Sequence, residues 1–207
     1  MTKKILILFL PLALFWGCSS KRAELSNLTA LKWHKQIYKD IRNGNLDSAD
    51  DDFLSMQVEH PNSIYVKIDL LNLYMAHLAN KEYVLAKFYI NEYEKRFASA
   101  QEIPWIEFQK IKVDFLKYQN AYTDQKAILD LIKEAKTYLN DYPNSHFTPE
   151  VSTILAKAEL TKKYLDAKIS KLYNKLDKPK AAKQYETKIP KHSEPPYVPW
   201  YKKLFYW

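Results

Sequence analysis

The chain has 207 residues, a length that suits one domain of ordinary size or a short array of repeats. Two glycines and one cysteine exclude a glycine-rich phosphate loop, an internal disulfide and a multi-cysteine metal site. Lysine and arginine outnumber aspartate and glutamate by 32 to 24, but almost all of these cations are lysines, and the sequence does not predict binding to nucleic acid.

Residues 1–17 are predicted to be a lipoprotein signal peptide. Two lysines precede an apolar run at 5–16, which as a helix rises only about 18 Å and is too short to cross a membrane. A positive start, a short apolar run and a small residue, Gly17, are typical of a secretory signal. The following Cys18 resembles the lipidated cysteine of the bacterial lipobox. A secreted protein with an incidental cysteine is less favoured, because Cys18 is the only cysteine.

Residues 18–27 are predicted to form a lipidated tether. The lipobox resemblance implies a diacylglycerol and an N-acyl chain on Cys18, and no other cofactor is expected. More than one acyl chain anchors a protein stably. Ser19 replaces the aspartate that retains enteric lipoproteins at the inner membrane, so the resemblance implies an outer-membrane protein on the periplasmic face. The polar residues 19–26 could reach about 25 Å from the bilayer.

Residues 28–187 are predicted to be all-α, because apolar residues recur at helical spacing and no window alternates with period two for long. Gly44 is expected to end the first helix, and Thr148 and Pro149 are expected to be the N-cap and first residue of the last long one. The helix at 65–79 is apolar on nearly every side and is predicted to be packed between neighbours. The predicted helical runs are 28–41, 46–56, 65–79, 83–97, 104–118, 128–142 and 148–172.

An internal repeat relates these helices. Pro-Asn-Ser occurs at 61–63 and at 143–145, each time followed two residues later by an aromatic residue, Tyr65 or Phe147. Small residues, Ala49 and Ala86, occur early in the second helix of two pairs. Helix pairs of this length resemble tetratricopeptide (TPR) repeats, which bury a core only by stacking. The pattern therefore predicts a TPR-like solenoid with a concave face that binds peptides or partner domains.

The lipobox, the helix pairs and the segment YPNSHFTPEV at 142–151 together resemble the BamD family of outer-membrane assembly lipoproteins, also described as competence lipoproteins. The similarity covers 33–182 and is strongest at 60–97 and 135–165. It implies a non-catalytic scaffold of the β-barrel assembly machinery, with the early repeats receiving unfolded outer-membrane proteins. The later repeats would dock on the periplasmic domains of a BamA-like barrel insertase. This chain departs from the family after the last helices, where a proline-rich tail replaces a full repeat.

The tail at 188–207 is irregular, because its prolines exclude a regular helix through most of it. Its aromatic area suggests burial rather than a solvated linker. The tail could cap the last helices, dock on a partner, or lie at a lipid interface. The candidate contact residues are Tyr197, Trp200, Tyr201, Phe205 and Trp207.

No catalytic motif is present, and the sequence predicts no enzyme and no metal site. His77 is expected to be a core histidine with a hydrogen bond. The aspartates at 47, 50, 51 and 52 are expected to be solvated at a helix start. The alternatives are a TPR lipoprotein adaptor for another envelope machine, such as a secretin pilotin or a cell-wall enzyme partner, and a periplasmic hydrolase with an unrecognised site.

Overall fold

A computed structural model describes residues 27–119 and 125–187, so Cys18, the signal peptide predicted at 1–17 and the tail predicted at 188–207 lie outside the described residues. Within them, all secondary structure is helical, as predicted, and no helix is long and apolar enough to cross a membrane. The helices are α1 (Ala30–Arg42), α2 (Leu46–Glu59), α3 (Ile64–Ala79), α4 (Tyr83–Phe97), α5 (Ile103–Gln119), α6 (Gln125–Asp141), α7 (Thr148–Lys175) and α8 (Pro179–Gln184).

The helices pack in pairs along the chain. Short turns join α1 to α2 and α3 to α4, and short connections of this kind place successive helices antiparallel. The first helices of successive pairs also meet, since α1 contacts α3 and α5 contacts α7. This order of contacts is consistent with a TPR-like helical fold.

The two Pro-Asn-Ser turns make the same hydrogen bonds. Ser63 and Ser145 each donate their backbone N–H to the carbonyl three residues earlier. Each serine Oγ then accepts from the backbone N–H two residues on, that of Tyr65 or that of Phe147. The sequence repeat is therefore a structural repeat, and it leads into α3 and α7, the first helices of two pairs.

The two predicted helix-end signals have different outcomes. Gly44 follows α1 with a φ of 75°, in the left-handed region that favours glycine, as predicted. The N-cap predicted at Thr148 is wrong, because α7 begins at that residue, its N-cap is Phe147, and Pro149 is the second helical residue. The Thr148 hydroxyl donates to the Tyr142 carbonyl at 3.0 Å, which turns it away from the first turn of α7.

Helix α5 belongs to two hydrophobic cores. Its residues Ile106 and Val113 join the first core, which is built mainly from α1, α2, α3 and α4. Its residues Phe108, Ile111 and Tyr118 join the second core, which α6 and α7 complete. A helix that buries opposite faces must be apolar around most of its circumference, which explains why α5 shows no single apolar stripe.

Glu59, the last residue of α2, holds the start of the described chain. The backbone N–H of Asn27 donates to Glu59 Oε1 at 2.9 Å, and the Trp33 indole donates to Glu59 Oε2 at 2.6 Å. These hydrogen bonds lower the pKa of Glu59, that from Trp33 most. The neighbouring His60 Nε2 lies 2.6 Å from the Leu28 carbonyl. The segment that precedes α1 is therefore fixed to the end of α2.

His77 is fully buried, and both of its ring nitrogens have carboxylate partners, so the predicted core histidine is confirmed. Nδ1 lies 2.5 Å from Glu82 Oε2 and Nε2 lies 2.9 Å from Asp50 Oδ1. Tyr89 stacks on the imidazole and donates its hydroxyl to Asp50 at 2.6 Å. This group of side chains joins α2, α3 and the start of α4.

The expectation that the aspartates of α2 are solvated is wrong for two of the four. Asp52 is buried, and Asp50 is the partner of His77. These two residues lie beyond the first turn of α2, on sides that face the core and α4, where packing decides their environment rather than the helix dipole. Asp47 and Asp51 are exposed, as expected.

Candidate protein-binding face

A buried carboxylate joins α1 to α3. Asp69 Oδ1 lies 2.8 Å from His34 Nδ1 and accepts from Asn72 Nδ2 at 3.0 Å. Burial raises the pKa of Asp69, and the hydrogen bond from Asn72 and the interaction with His34 oppose that rise. The His34 ring also stacks on Tyr65, with ring centroids 4.8 Å apart. The crossing of the two helices is therefore fixed by polar and aromatic contacts together.

A polar side-chain contact also links α3 to α5. The Tyr74 hydroxyl donates to Gln109 Oε1 at 2.7 Å, and burial raises the pKa of Tyr74 to about 12. The two residues are 35 positions apart, the same separation as His34 and Asp69. A polar pair at one repeat length thus holds each of these two crossings in place.

An aromatic contact also recurs. Tyr65 follows the first Pro-Asn-Ser turn and stacks on His34 of α1, and Phe147 follows the second and stacks on Phe108 of α5 at 4.8 Å. In both cases the ring after the turn meets a ring on the first helix of the preceding pair. The motif therefore sets how each first helix lies on its predecessor.

The same crossing exposes an apolar surface, which we call the α1–α3 face. On α3 its members lie opposite the buried side of the helix, and on α1 they share a face next to His34. Ile64 is 64% exposed and Met75 55%, although α3 was predicted to be packed between neighbours. The face consists of Leu31, Tyr38, Ile64, Ile68 and Met75.

Positive charge borders the α1–α3 face. The exposed ionic side chains of α1 are all cations, while its one carboxylate, Asp40, is buried and accepts from Gln36. An apolar surface beside cations can hold an extended peptide by its apolar side chains and attract its carboxylates. The cations are Lys32, Lys35, Lys39 and Arg42.

A groove of about 290 Å³ lies between α5 and α6, with more acids than bases in its lining. The pKa of Glu134 is raised to about 7. Loss of hydration on burial contributes most to this rise, the charge of Lys87 opposes it, and the carboxylates of Asp114 and Asp130 add to it. Glu134 keeps some solvent contact. The groove can accept a cationic side chain. Its charged lining residues are Glu107, Asp130, Lys133, Glu134 and Asp141.

None of the site residues predicted from the sequence falls in the described part of the chain. Cys18 precedes residue 27, and the tail candidates Tyr197, Trp200, Tyr201, Phe205 and Trp207 follow residue 187. No sequence pattern pointed to the α1–α3 face. The available signal was the apolar character of α3 on nearly every side, which is shared by a packed helix and by one that offers a binding surface.

Comparison with known proteins identifies relatives of this chain. Residues 27–192, which include all the described helices, match the family described as YfiO, outer membrane lipoprotein. The chain is also similar to the protein named outer membrane protein assembly factor BamD from Helicobacter pylori (strain ATCC 700392 / 26695). The two are 34% identical over 199 residues, which cover 92% of this chain and 90% of that protein.

Proposed function

Because the chain belongs to the YfiO family of outer membrane lipoproteins, its role lies in outer-membrane protein assembly, and we propose that it acts there as a non-catalytic scaffold. The observation that carries this function is the 34% identity to a BamD protein over 92% of the chain. The resemblance to the BamD family is thereby confirmed. An adaptor for another envelope machine is not favoured by this similarity.

The scaffold receives unfolded outer-membrane proteins on the α1–α3 face. Extended segments of such proteins carry apolar side chains, and the exposed Ile64, Ile68 and Met75 offer them a surface of matching character. The cations of α1 attract acidic groups of the same segment and speed its encounter with the face. Binding needs no folded client, because a peptide without structure can lie along two adjacent helices.

The later helices contact the periplasmic domains of a BamA-like insertase. The α5–α6 groove suits this role, because its carboxylates can take the charge of a lysine or arginine and the half-buried ring of Tyr142 can contact the stem. Client and insertase would then bind to different halves of the chain. Such an arrangement passes a client along the scaffold.

A lipid on Cys18 holds the scaffold at the periplasmic face of the outer membrane. Asn27 is fixed to Glu59, so residues 18–26 alone set how far α1 can move from the bilayer. An extended segment of that length reaches about 30 Å. The lipid places the α1–α3 face near the membrane into which clients are inserted.

Depletion and complementation test this function. Cells depleted of the protein should lose several outer-membrane β-barrels together, and the wild-type gene should restore them. The double variant Ile64→Ser, Met75→Ser should restore less than a tenth of the barrels, and because both side chains are exposed its circular dichroism spectrum should match that of the wild type. Val84→Ser is the matched control, because Val84 is an equally exposed apolar residue on α4, outside the face.

Cys18→Ser should move the protein from the membrane to the soluble periplasmic fraction.

Each arm has a result that contradicts its part of the proposal. Loss of one secretion or pilus function alone, with barrels unchanged, would contradict the assembly role. Full complementation by the double variant would remove the α1–α3 face from client binding. Membrane attachment of Cys18→Ser would refute the lipid anchor.

A further inference from the structure

One apolar stripe runs along nearly all of α7. In the first half of the helix the stripe is buried against α5 and α6 through Val151, Ile154 and Ala158. In the second half, apolar residues continue along the same side of the helix at spacings of four, three and four residues. The residues of this second half, which we call the distal stripe, are Leu165, Ile169, Leu172 and Leu176.

The distal stripe extends past the helix that covers the first half. Helix α6 begins at Gln125, and there Leu129 and Leu165 line one cavity of about 230 Å³. Beyond that point Leu172 and Leu176 are each 54% exposed. Helix α8 ends beside the start of the stripe, where Gln184 and Tyr185 line the same cavity as Leu165, and in the described ranges α7 packs mainly on α5, α6 and α8.

The contacts of α8 show how little cover it provides. Ala182 is buried, and Tyr185 stacks on Tyr173 with ring centroids 5.8 Å apart. Tyr173 lies on the flank of α7, about a quarter turn from the distal stripe. The pairing of α7 with α8 therefore leaves the stripe available to another segment.

We propose that residues 188–207 cover the distal stripe of their own chain. The described chain ends at Thr187, which lines a groove on the side of α7 away from the stripe together with Ala167, Lys171 and Lys175, so the tail starts beside this helix and must pass around it to reach the stripe. The stripe is about 17 Å long, and a tail of this length can reach about 65 Å when extended. It carries the aromatic side chains of Tyr197, Trp200, Tyr201, Phe205, Tyr206 and Trp207, each of which gains from burial.

The position of its start favours the tail over a second copy of the chain, because a segment that begins beside α7 can reach the stripe at any protein concentration. Lys168 and Lys175 flank the stripe and are exposed. Two copies packed stripe to stripe would bring these lysines together. The tail also carries lysines, at 188, 191, 202 and 203, so its aromatic rings, which can lie beneath the lysines of α7, provide the contact rather than its charge. The proposal does not rest on the assembly role, because it concerns contacts within one chain.

Paramagnetic labelling tests the contact. The chain from Ser19 to Trp207 keeps the helices and the tail and has no cysteine, so one introduced cysteine can carry a nitroxide. Lys168→Cys places the label beside the stripe, and Asn91→Cys, exposed on α4, is the control. The label at position 168 should reduce the indole N–H signals of Trp200 and Trp207 more than twofold, at any protein concentration. The label at 91 should not.

Hydrogen exchange provides an independent readout. The double variant Trp200→Ser, Trp207→Ser should speed amide exchange at 165–176 at least fivefold and leave the amides of α3 unchanged. Undiminished indole signals, or unchanged exchange, would overturn the proposal. Signal loss that occurs only between differently labelled molecules would assign the cover to a second copy. Faster exchange in Tyr122→Ser, but not in the tail variant, would assign it to residues 120–124, and either result also overturns the proposal.

Discussion

His77 carries two opposing influences on its pKa. Burial would lower the pKa, but the hydrogen bonds and charges of Asp50 and Glu82 outweigh it, and the pKa of His77 is raised above 6.5. The protonated ring donates to both carboxylates, and Asp50 also accepts from Tyr89. A neutral ring has one N–H and can satisfy only one of these carboxylates.

His77→Gln should lower the free energy of unfolding by about 2 kcal/mol, because it leaves buried or half-buried carboxylates without a cation. The folded-state pKa is the raised one, so the stabilisation is complete below pH 6.5 and is lost as the pH rises through that pKa. Urea unfolding of both proteins between pH 5 and 9 measures the difference. A difference that grows with pH would contradict this assignment of charge.

Sequence patterns predicted the burial of His77 but not its partners. A histidine among apolar residues at helical spacing is expected to be in a core, and that inference needs only α3. Asp50 lies 27 residues away on α2, and no local pattern states that the two meet. Polar contacts between helices depend on how the helices cross, which the periodicity of a single helix does not contain.

At the scale of one element, the Pro-Asn-Ser turn is both a helix start and a packing contact. Ser63 Oγ caps α3 by accepting from the Tyr65 N–H, and Tyr65 then stacks on His34. Ser145 makes the equivalent bond before α7 and also a hydroxyl–hydroxyl hydrogen bond with Tyr138 at 2.8 Å. One motif thus fixes where a helix starts and how it lies on the preceding pair.

Ser63→Ala should cost about 1 kcal/mol of stability, because it leaves an N–H at the start of α3 without its acceptor. Ser63→Thr keeps a hydroxyl and should recover most of the loss. Thermal unfolding followed by circular dichroism measures both. Equal melting temperatures for all three proteins would show that water replaces the cap.

The helices themselves were predictable, and their outward faces were not. Apolar spacing located the helical runs, and the two serine turns marked their repeat. On α3, however, apolar residues on all sides suggested a fully packed helix, whereas Ile64 and Met75 are exposed. An apolar side chain is equally compatible with a core and with a binding surface, so the sequence alone could not separate the two.

At the scale of the whole molecule, α5 joins the two cores. Ile106 faces the first core and Ile111 the second, and each is nearly fully buried. Repeat proteins of this kind gain stability from contacts between neighbouring units. A helix shared by both cores makes the unfolding of one costly for the other.

Ile111→Ala should destabilise the protein by about 3 kcal/mol, because it opens a cavity in the second core. In the chain from Ser19 to Trp207 with Trp200→Phe and Trp207→Phe, the remaining tryptophans, Trp33 and Trp105, both pack in the first core and report on that half by their fluorescence. The fluorescence midpoint and the circular dichroism midpoint in urea should fall together in this variant. A fluorescence midpoint that stays at the wild-type value would show that the two cores unfold separately.

The hydrogen bonds of Asn27 and Trp33 to Glu59 have a mechanical consequence. If Cys18 carries the proposed lipid, a force between the bilayer and a bound partner would enter the described helices through Asn27. That force passes to Glu59 at the end of α2 and, through the Trp33 indole, into the first core. Load is therefore shared by two packed helices instead of unwinding α1 from its end, and the first helix pair acts as the tension-bearing anchor of the molecule.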